Sequence, residues 1–101
     1  MPAYLIADVE ITDPDGFKEY HDRMPEVLAR HGVEYVVRGG ETEVLEGDWN
    51  PTRLVILRFD DLEHARRWYL SDEYKEMTRI RQATARTKML IVDGYEPPSE
   101  R

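Results

Sequence analysis

The chain has 101 residues with 41% apolar content, which is enough for one hydrophobic core and too little for two. Its net charge of −7 argues against nucleic acid as a partner, because an acidic protein repels a phosphate backbone. The sequence contains no cysteine, no basic leader and no apolar run of about 18 residues, so we expect a cytoplasmic protein without disulfides, thiol nucleophiles or a membrane segment.

The first half of the chain predicts a strand followed by a helix. The strand covers residues 4–11, and the helix begins at Thr12-Asp13-Pro14-Asp15, which supplies a capping side chain and a proline suited to the first turn. Its apolar face has three- and four-residue spacing and consists of Phe17, Tyr20, Met24, Val27 and Leu28. Pro25 lies inside this helix and is expected to bend it, and Gly32 is expected to end it.

The middle of the chain contains Gly39-Gly40 between two β-rich runs, the first at 35–37. This pattern predicts a hairpin turn in which one glycine has positive φ. A loop follows over 47–52, and a strand over 54–57.

The last part of the chain predicts two helices and a strand. Asp60 and Glu63 have capping-box spacing for a second helix that extends through Trp68 and Tyr69. Ser71-Asp72 is expected to cap a further short helix before a last strand over 86–93. We expect one domain over 1–96, and a frayed tail over 97–101 because that segment is polar and rich in proline.

The β-α-β-β-α-β order indicates an α+β, ferredoxin-like antiparallel sheet with its helices on one face. The runs at 54–57 and 89–92 are apolar at consecutive positions, so both faces of these strands should be shielded from water. The helices can cover only one face. We therefore expect a homodimer in which the other face packs against the same sheet of a second copy.

Five motifs resemble the family described as domain of unknown function 1330. They are VEYVVRGG (33–40), LEGDW (45–49), SDEY (71–74), Arg81 and IVDG (91–94). The resemblance spans roughly residues 3–94 and implies a dimeric α+β barrel, in which two ferredoxin-like sheets pack face to face. That superfamily includes cofactor-free oxygenases acting on aromatics, muconolactone-type isomerases, haem-handling enzymes and proteins with no established activity. Asp72 stands where the family often has proline.

Arg38 is the first candidate site residue, because it ends a predicted strand next to two glycines. A planar guanidinium at this position suits a carboxylate or enolate oxygen, and the glycines allow a ligand to approach closely. The alternative is an ion pair with Glu43 or Glu46 across the turn.

Aromatic residues and a second arginine complete the predicted ligand site. Trp49 lies in a loop, where it either covers a pocket or fills the dimer seam. Three helix tyrosines bring hydroxyls that either orient a ligand or bond to the backbone. The predicted ligand-binding residues are Tyr20, Arg38, Trp49, Tyr69, Tyr74 and Arg81.

Histidine and a group of basic residues are further candidates for the site. His31 is the best candidate for a general base, although a histidine in the last helical turn also complements the helix dipole. No two of the three histidines have the four-residue spacing of a helical metal site, so we expect no metal. A basic stretch either binds an anion or is a solvated surface; it consists of Lys75, Arg79, Arg81, Arg86 and Lys88.

The residues and the resemblance together predict a homodimeric enzyme that acts on a small anionic or aromatic compound without a cofactor, with His31 and Arg38 as catalytic residues. Enolisation, isomerisation or oxygenation would suit such a site. The alternative is a non-catalytic ligand-binding or stress-related dimer. An RNA-recognition domain of the same topology is excluded, because RLVILRF (53–59) lacks the aromatic pair that stacks bases.

Overall fold

A computed structural model describes residues 1–98. Four strands form one antiparallel sheet in the order β2-β3-β1-β4; they are β1 (Ala3–Ile11), β2 (Glu34–Arg38), β3 (Leu54–Phe59) and β4 (Ala85–Asp93). Three helices complete the fold: α1 (Pro14–Arg30), α2 (Leu62–Tyr69) and α3 (Asp72–Thr84). The fold is α+β and ferredoxin-like, as predicted. Within the predicted tail over 97–101, residues 99–101 lie outside the described residues.

The α1 helix begins where its cap residue predicts. The Gly16 N–H donates to Asp13 Oδ1 at 3.1 Å, and Pro14 occupies the first helical position. The helix continues through Pro25 without interruption as far as Arg30. Gly32, with φ of 69°, follows the helix end as predicted.

The predicted cap of α2 is wrong by one residue. The His64 N–H donates to Asp61 Oδ1 at 2.7 Å, so Asp61 is the cap. Asp60 instead uses its N–H to donate to His64 Nδ1 at 3.1 Å. Asp60 and Asp61 have the same side chain, so residue type does not distinguish them as caps. Because β3 extends to Phe59, the helix begins one residue later than predicted. Ser71 caps α3 as predicted, with the Tyr74 N–H donating to its hydroxyl.

The predicted hairpin after β2 is also wrong. Gly39 has positive φ, at 69°, but the second β-rich run forms no strand, and residues 39–53 are a loop. β2 pairs with β3 instead. The physical reason is burial: β3 places Leu57 and Phe59 in the core, whereas residues 41–50 are all exposed.

The core lies between the helices and one face of the sheet. On β1 alternate residues are buried, and Leu5, Ala7 and Val9 are less than 5% exposed. The large side chains packed against this face include Phe17, Met24, Leu28, Trp68 and Met77. Burial of each stabilises the fold by roughly 1.5–3 kcal/mol.

No described helix covers the opposite face of the sheet. We call this the open face; its apolar residues are Tyr4, Ile6, Val37, Leu54, Ile56, Leu90 and Val92. Leu90 and Val92 at its edge are 57% and 43% exposed. Among residues 1–98 no helix combines the length and apolar content needed to cross a membrane.

Candidate functional site

A β-bulge directs Arg38 towards the helices. Tyr35 is opposite Leu57, but Val37 is opposite Ile56 and Arg38 is opposite Val55, so β2 contains one more residue than β3 over this stretch. Leu57 and Val55 face the helices, and therefore Tyr35 and Arg38 do so as well. In a regular strand, residues 35 and 38 would lie on opposite faces.

The Arg38 guanidinium is anchored on a helix carbonyl that a proline has left free. In an α-helix the His21 carbonyl would accept from the N–H of residue 25, but Pro25 has no N–H. Arg38 Nη2 donates to this oxygen at 2.5 Å, and its Cζ lies 4.7 Å from the Tyr35 ring centroid. Arg38 therefore bridges the edge strand β2 and α1.

A small cavity lies between the sheet and helices α1 and α3, next to Arg38. Its volume is about 30 Å³, which is room for one or two water molecules. Most of its wall is apolar. The polar side chains in the wall are Tyr20, His21, Tyr35, Arg38, Arg53, Tyr74 and Arg81.

Two tyrosine hydroxyls meet at this cavity. Tyr20 Oη and Tyr74 Oη are 2.8 Å apart, and the Tyr74 ring is held by stacking on Trp68 at 3.9 Å between centroids. Burial raises the pKa of Tyr20 well above its usual value, and Tyr74 raises it further, while Arg81 opposes the shift. One hydroxyl donates to the other, so one O–H is left to donate to another group.

Burial likewise raises the pKa of Tyr35, although the nearby Arg38 and Arg53 charges oppose the shift. Tyr20 and Tyr35 are therefore neutral phenols around pH 7 and act in this cavity as hydrogen-bonding groups. In this conformation neither side chain is in the deprotonated form that a general base requires.

Three arginines surround the cavity without an acidic partner. No carboxylate of residues 1–98 lies within 4.0 Å of the guanidinium nitrogens of Arg38, Arg53 or Arg81. Arg81 is only 5% exposed, and its Nε has no hydrogen-bond partner among the described residues. An unpaired buried cation costs several kcal/mol, so this arrangement favours an anion from outside.

Arg53 reaches the cavity because Gly39 has no side chain. A Cβ at Gly39 would lie 3.0 Å from Arg53 Nε and 3.2 Å from Arg53 Cζ. Sequence reasoning missed Arg53 and Tyr35. Arg53 directly precedes β3 and lies next to Gly39 at the end of β2. Only the pairing of these two strands would have indicated this contact. Tyr35 shares a face with Arg38 only because of the bulge.

The predicted ligand-binding residues divide into two groups. Tyr20, Arg38, Tyr74 and Arg81 lie around one cavity. Tyr69 contacts the Tyr74 ring at 5.8 Å between centroids but lines a separate groove beside β4.

Trp49 and the acidic residues of the loop lie apart from the cavity. Trp49 is 62% exposed and lies in the loop near Val44 and Leu54. Arg38 does not form the alternative ion pair with Glu43 or Glu46; its partners are the His21 carbonyl and the Tyr35 ring.

His31 lies at the other end of α1, about 16 Å from Tyr20 along the helix. It is the C-terminal cap residue, and its Nε2 is 2.8 Å from Glu73 Oε1. Arg30 also bonds to Glu73, and the two contacts hold the pKa of Glu73 below its usual value, with Arg30 the larger cause. In this structure His31 joins α1 to α3. Among residues 1–98 no three His, Asp or Glu side chains are grouped as metal ligands.

Solved structures with this fold come from several organisms. A protein of unknown function from Rhodopseudomonas palustris has a TM-score of 0.74 and 16% identity, over 95% of this chain and 84% of that chain. A hypothetical Arabidopsis thaliana protein has a TM-score of 0.66 and 15% identity, over 99% and 91%. SnoaB, a cofactor-independent oxygenase from Streptomyces nogalater, has a TM-score of 0.64 and 14% identity, over 98% of each chain.

At these identities the likeness establishes the fold alone, and none of the curated proteins matches the sequence. The sequence signature of one family extends over residues 2–95, almost the whole described chain, and includes the bulged strand, the loop after it and the buried Arg81 of α3. The chain belongs to the family described as domain of unknown function (DUF1330).

Proposed function

We propose that the protein is a homodimer that binds a small anionic compound in the cavity between α1, α3 and the sheet, and acts on it without a prosthetic group. The buried Arg81 guanidinium carries this proposal, because its Nε is unpartnered and no carboxylate of the described residues neutralises it. SnoaB, which shares the fold, is a cofactor-independent oxygenase, and the proposal extends that class of chemistry to this chain.

The polar groups around the cavity are donors with few acceptors. A guanidinium has five N–H donors and accepts no hydrogen bond, and the tyrosine pair retains one donor after its mutual bond. Such a wall selects a ligand atom that only accepts, such as a carboxylate, enolate or phenolate oxygen. Negative charge that develops on this oxygen during enolisation would be stabilised by donors already in place.

The size of the cavity limits what can enter. About 30 Å³ holds the oxygen end of a ligand and not an aromatic ring. A larger compound therefore enters as Arg38 exchanges the His21 carbonyl for the ligand anion. The same small volume favours the alternative function, a dimer that binds an anion without turnover, and a ligand bound without conversion would identify it.

The dimer uses the open face. If each chain buries about 800 Å², at about 25 cal/mol per Å² the gross gain is roughly 20 kcal/mol per face, more than the association cost of roughly 4–15 kcal/mol. The uncovered apolar residues at the centre and edge of this face support the proposal.

The test replaces Arg81 by methionine and measures both stability and binding. Removing an unpaired buried cation should raise the denaturant midpoint of the free protein, because an apolar side chain costs nothing to bury there. The same variant should bind small aromatic and aliphatic carboxylates about 10- to 100-fold more weakly in calorimetry, as should Arg38→Met. Arg23→Met is the control, because Arg23 does not line the cavity and pairs with Glu19 and Glu76. Unchanged carboxylate affinity in Arg81→Met would remove the cavity from the function.

A further inference from the structure

The loop between β2 and β3 is acidic and exposes apolar side chains. Its acids are Glu41, Glu43, Glu46 and Asp48, and residues 41–50 contain no base. None of these acids is within 4.0 Å of a basic group of residues 1–98. Leu45 is 84% exposed and Trp49 62%. Exposed apolar groups and unpaired acids on one loop suggest a binding surface.

These apolar residues are continuous with the open face. Val44, Leu45 and Trp49 line one depression together with Leu54. Leu54 is opposite Asp8 on β1, whose side chain points to the open face. The loop therefore extends the apolar surface of the open face at the β2 edge of the sheet.

The opposite edge of the sheet carries an apolar groove of about 390 Å³ between α2 and β4. The apolar residues in its wall are Leu5, Tyr69, Leu70, Met89, Leu90 and Ile91. Leu70 is 63% exposed, and Leu90, also on the open face, 57%.

The rim of this groove is basic. Arg66 lines the groove, and Lys75 and Arg79 line the adjoining surface around Tyr69 and Leu70. Among residues 1–98 neither Lys75 nor Arg79 has an ion-pair partner, and Arg66 is 3.9 Å from Glu63. The unpaired bases of the groove and the unpaired acids of the loop are complementary in charge.

Within one chain the loop and the groove lie at opposite edges of the sheet. Three strand spacings separate β2 from β4, which is about 14 Å. If two sheets pack face to face about a two-fold axis parallel to the strands, β2 of one sheet lies over β4 of the other, about 10 Å away. The loop of each chain and the groove of its partner are then at the same edge of the dimer.

We propose that residues 41–50 of one protomer dock in the α2–β4 groove of a second copy, with Trp49 and Leu45 in the groove and the loop acids against its basic rim. This inference rests on the proposed homodimer. The two exchanged loops would cover apolar surface that the sheet contact leaves exposed.

Fluorescence of Trp49 tests the docking directly. The chain has two tryptophans, and Trp68 is buried at 2% exposure. A Trp68→Phe variant keeps Trp49 as its one tryptophan and therefore reports on Trp49 alone. In the dimer we expect blue-shifted Trp49 emission that acrylamide quenches weakly. On dilution the emission should shift to the red at the concentration where light scattering detects monomers.

Charge reversal in the wild-type background gives a second test that does not depend on the folding of Trp68→Phe. Lys75→Glu with Arg79→Glu should weaken dimerisation about tenfold or more, and Glu43→Lys with Glu46→Lys on the same chain should restore it. Lys18→Glu on α1 is the control and should leave the dissociation constant unchanged.

Each of the other outcomes overturns the docking in a different way. A dimer in which acrylamide quenches Trp49 freely would leave the sheet contact standing and refute the docked loop. A shielded Trp49 in a monomer would show that the loop packs on its own chain. A monomer at all concentrations would refute the dimer and the docking together.

Discussion

The His21 carbonyl shows how one proline in a helix makes a contact possible with a residue that is distant in sequence. Pro25 leaves this oxygen without its helical donor, and Arg38, from the edge strand, supplies one in its place. The energetic penalty of a proline inside a helix, roughly 3 kcal/mol, is thereby coupled to the position of a guanidinium at the cavity.

Replacing Pro25 by alanine should separate these two effects. The new N–H competes for the His21 carbonyl, so α1 should become more stable by up to about 3 kcal/mol while Arg38 loses its anchor. We expect a higher denaturant midpoint together with altered carboxylate affinity in calorimetry. Glu26→Ala, one residue further along α1, is the control. A higher midpoint with unchanged affinity would show that the carbonyl does not position Arg38.

Glu73 makes stability depend on acid pH. Its contacts with Arg30 and His31 lower the pKa of this carboxyl in the folded state, so the stabilisation is present above the unfolded pKa and is lost as pH falls through the lower folded value. Glu73→Gln should therefore be less stable than wild type at neutral pH, and the difference should shrink below about pH 4. Chemical denaturation between pH 7 and 3 measures this.

Glu76→Gln on the same helix is the matched control, because the Glu76 side chain is 62% exposed whereas that of Glu73 is 29% exposed. If the two variants had parallel stability profiles, the contacts of Glu73 with Arg30 and His31 would not be the cause.

Part of the candidate site follows from sequence reasoning at the residue scale. Tyr20 and Tyr74 lie on apolar helix faces, and such positions point inward by helical periodicity alone. Arg53 and Tyr35 do not follow from it, because their direction depends on a bulge and on contact with Gly39 across two strands. Both features depend on how β2 pairs with β3, and the local sequence pattern does not show this pairing.

At the scale of the elements, strands and helices begin and end close to their predicted bounds because caps and apolar periodicity are local signals. The segment 41–46 is the exception. Thr42 and Val44 favour a strand, but residues 41–46 are all exposed, so a strand there would bury no apolar face against the core. Three of these six residues are acids that remain hydrated in the loop.

The turn after β2 gives a prediction with an internal control. Gly39 has φ of 69° and a Cβ there would meet Arg53, whereas a Cβ at Gly40 would have nothing within 4 Å. Gly39→Ala should destabilise the protein by about 1–2 kcal/mol and displace Arg53, and Gly40→Ala should have little effect. Denaturant midpoints compare the two. Equal midpoints would show that the left-handed turn is not required.

At the scale of the whole molecule, the described chain is thin and extended. Its shortest dimension is 17 Å, and its radius of gyration is 14.8 Å, against about 13 Å for a compact domain of 100 residues. One layer of helices on one sheet accounts for the thinness. The apolar run of β3 predicted two shielded faces, and the helices shield only one.

Adjacent residues of β3 test what the second face does. Ile56 points to the open face and Leu57 to the core, where it is 2% exposed. Ile56→Lys should give a folded monomer by light scattering and circular dichroism, because only the proposed contact with a second copy is lost. Leu57→Lys should unfold the chain, because it buries a charge in the core. A dimeric Ile56→Lys protein would refute the sheet-face contact.

Because of the extra residue in β2, the length of this strand decides on which face of the sheet Arg38 lies. Side chains of a strand alternate between faces with a period of two, so an insertion exchanges the faces of every residue beyond it. Deletion of Val36 would turn Arg38 away from the cavity and towards the open face, without changing any chemical group that remains. In a family member whose β2 is one residue shorter, the arginine before the two glycines would therefore lie on the other face of the sheet and could not serve the cavity.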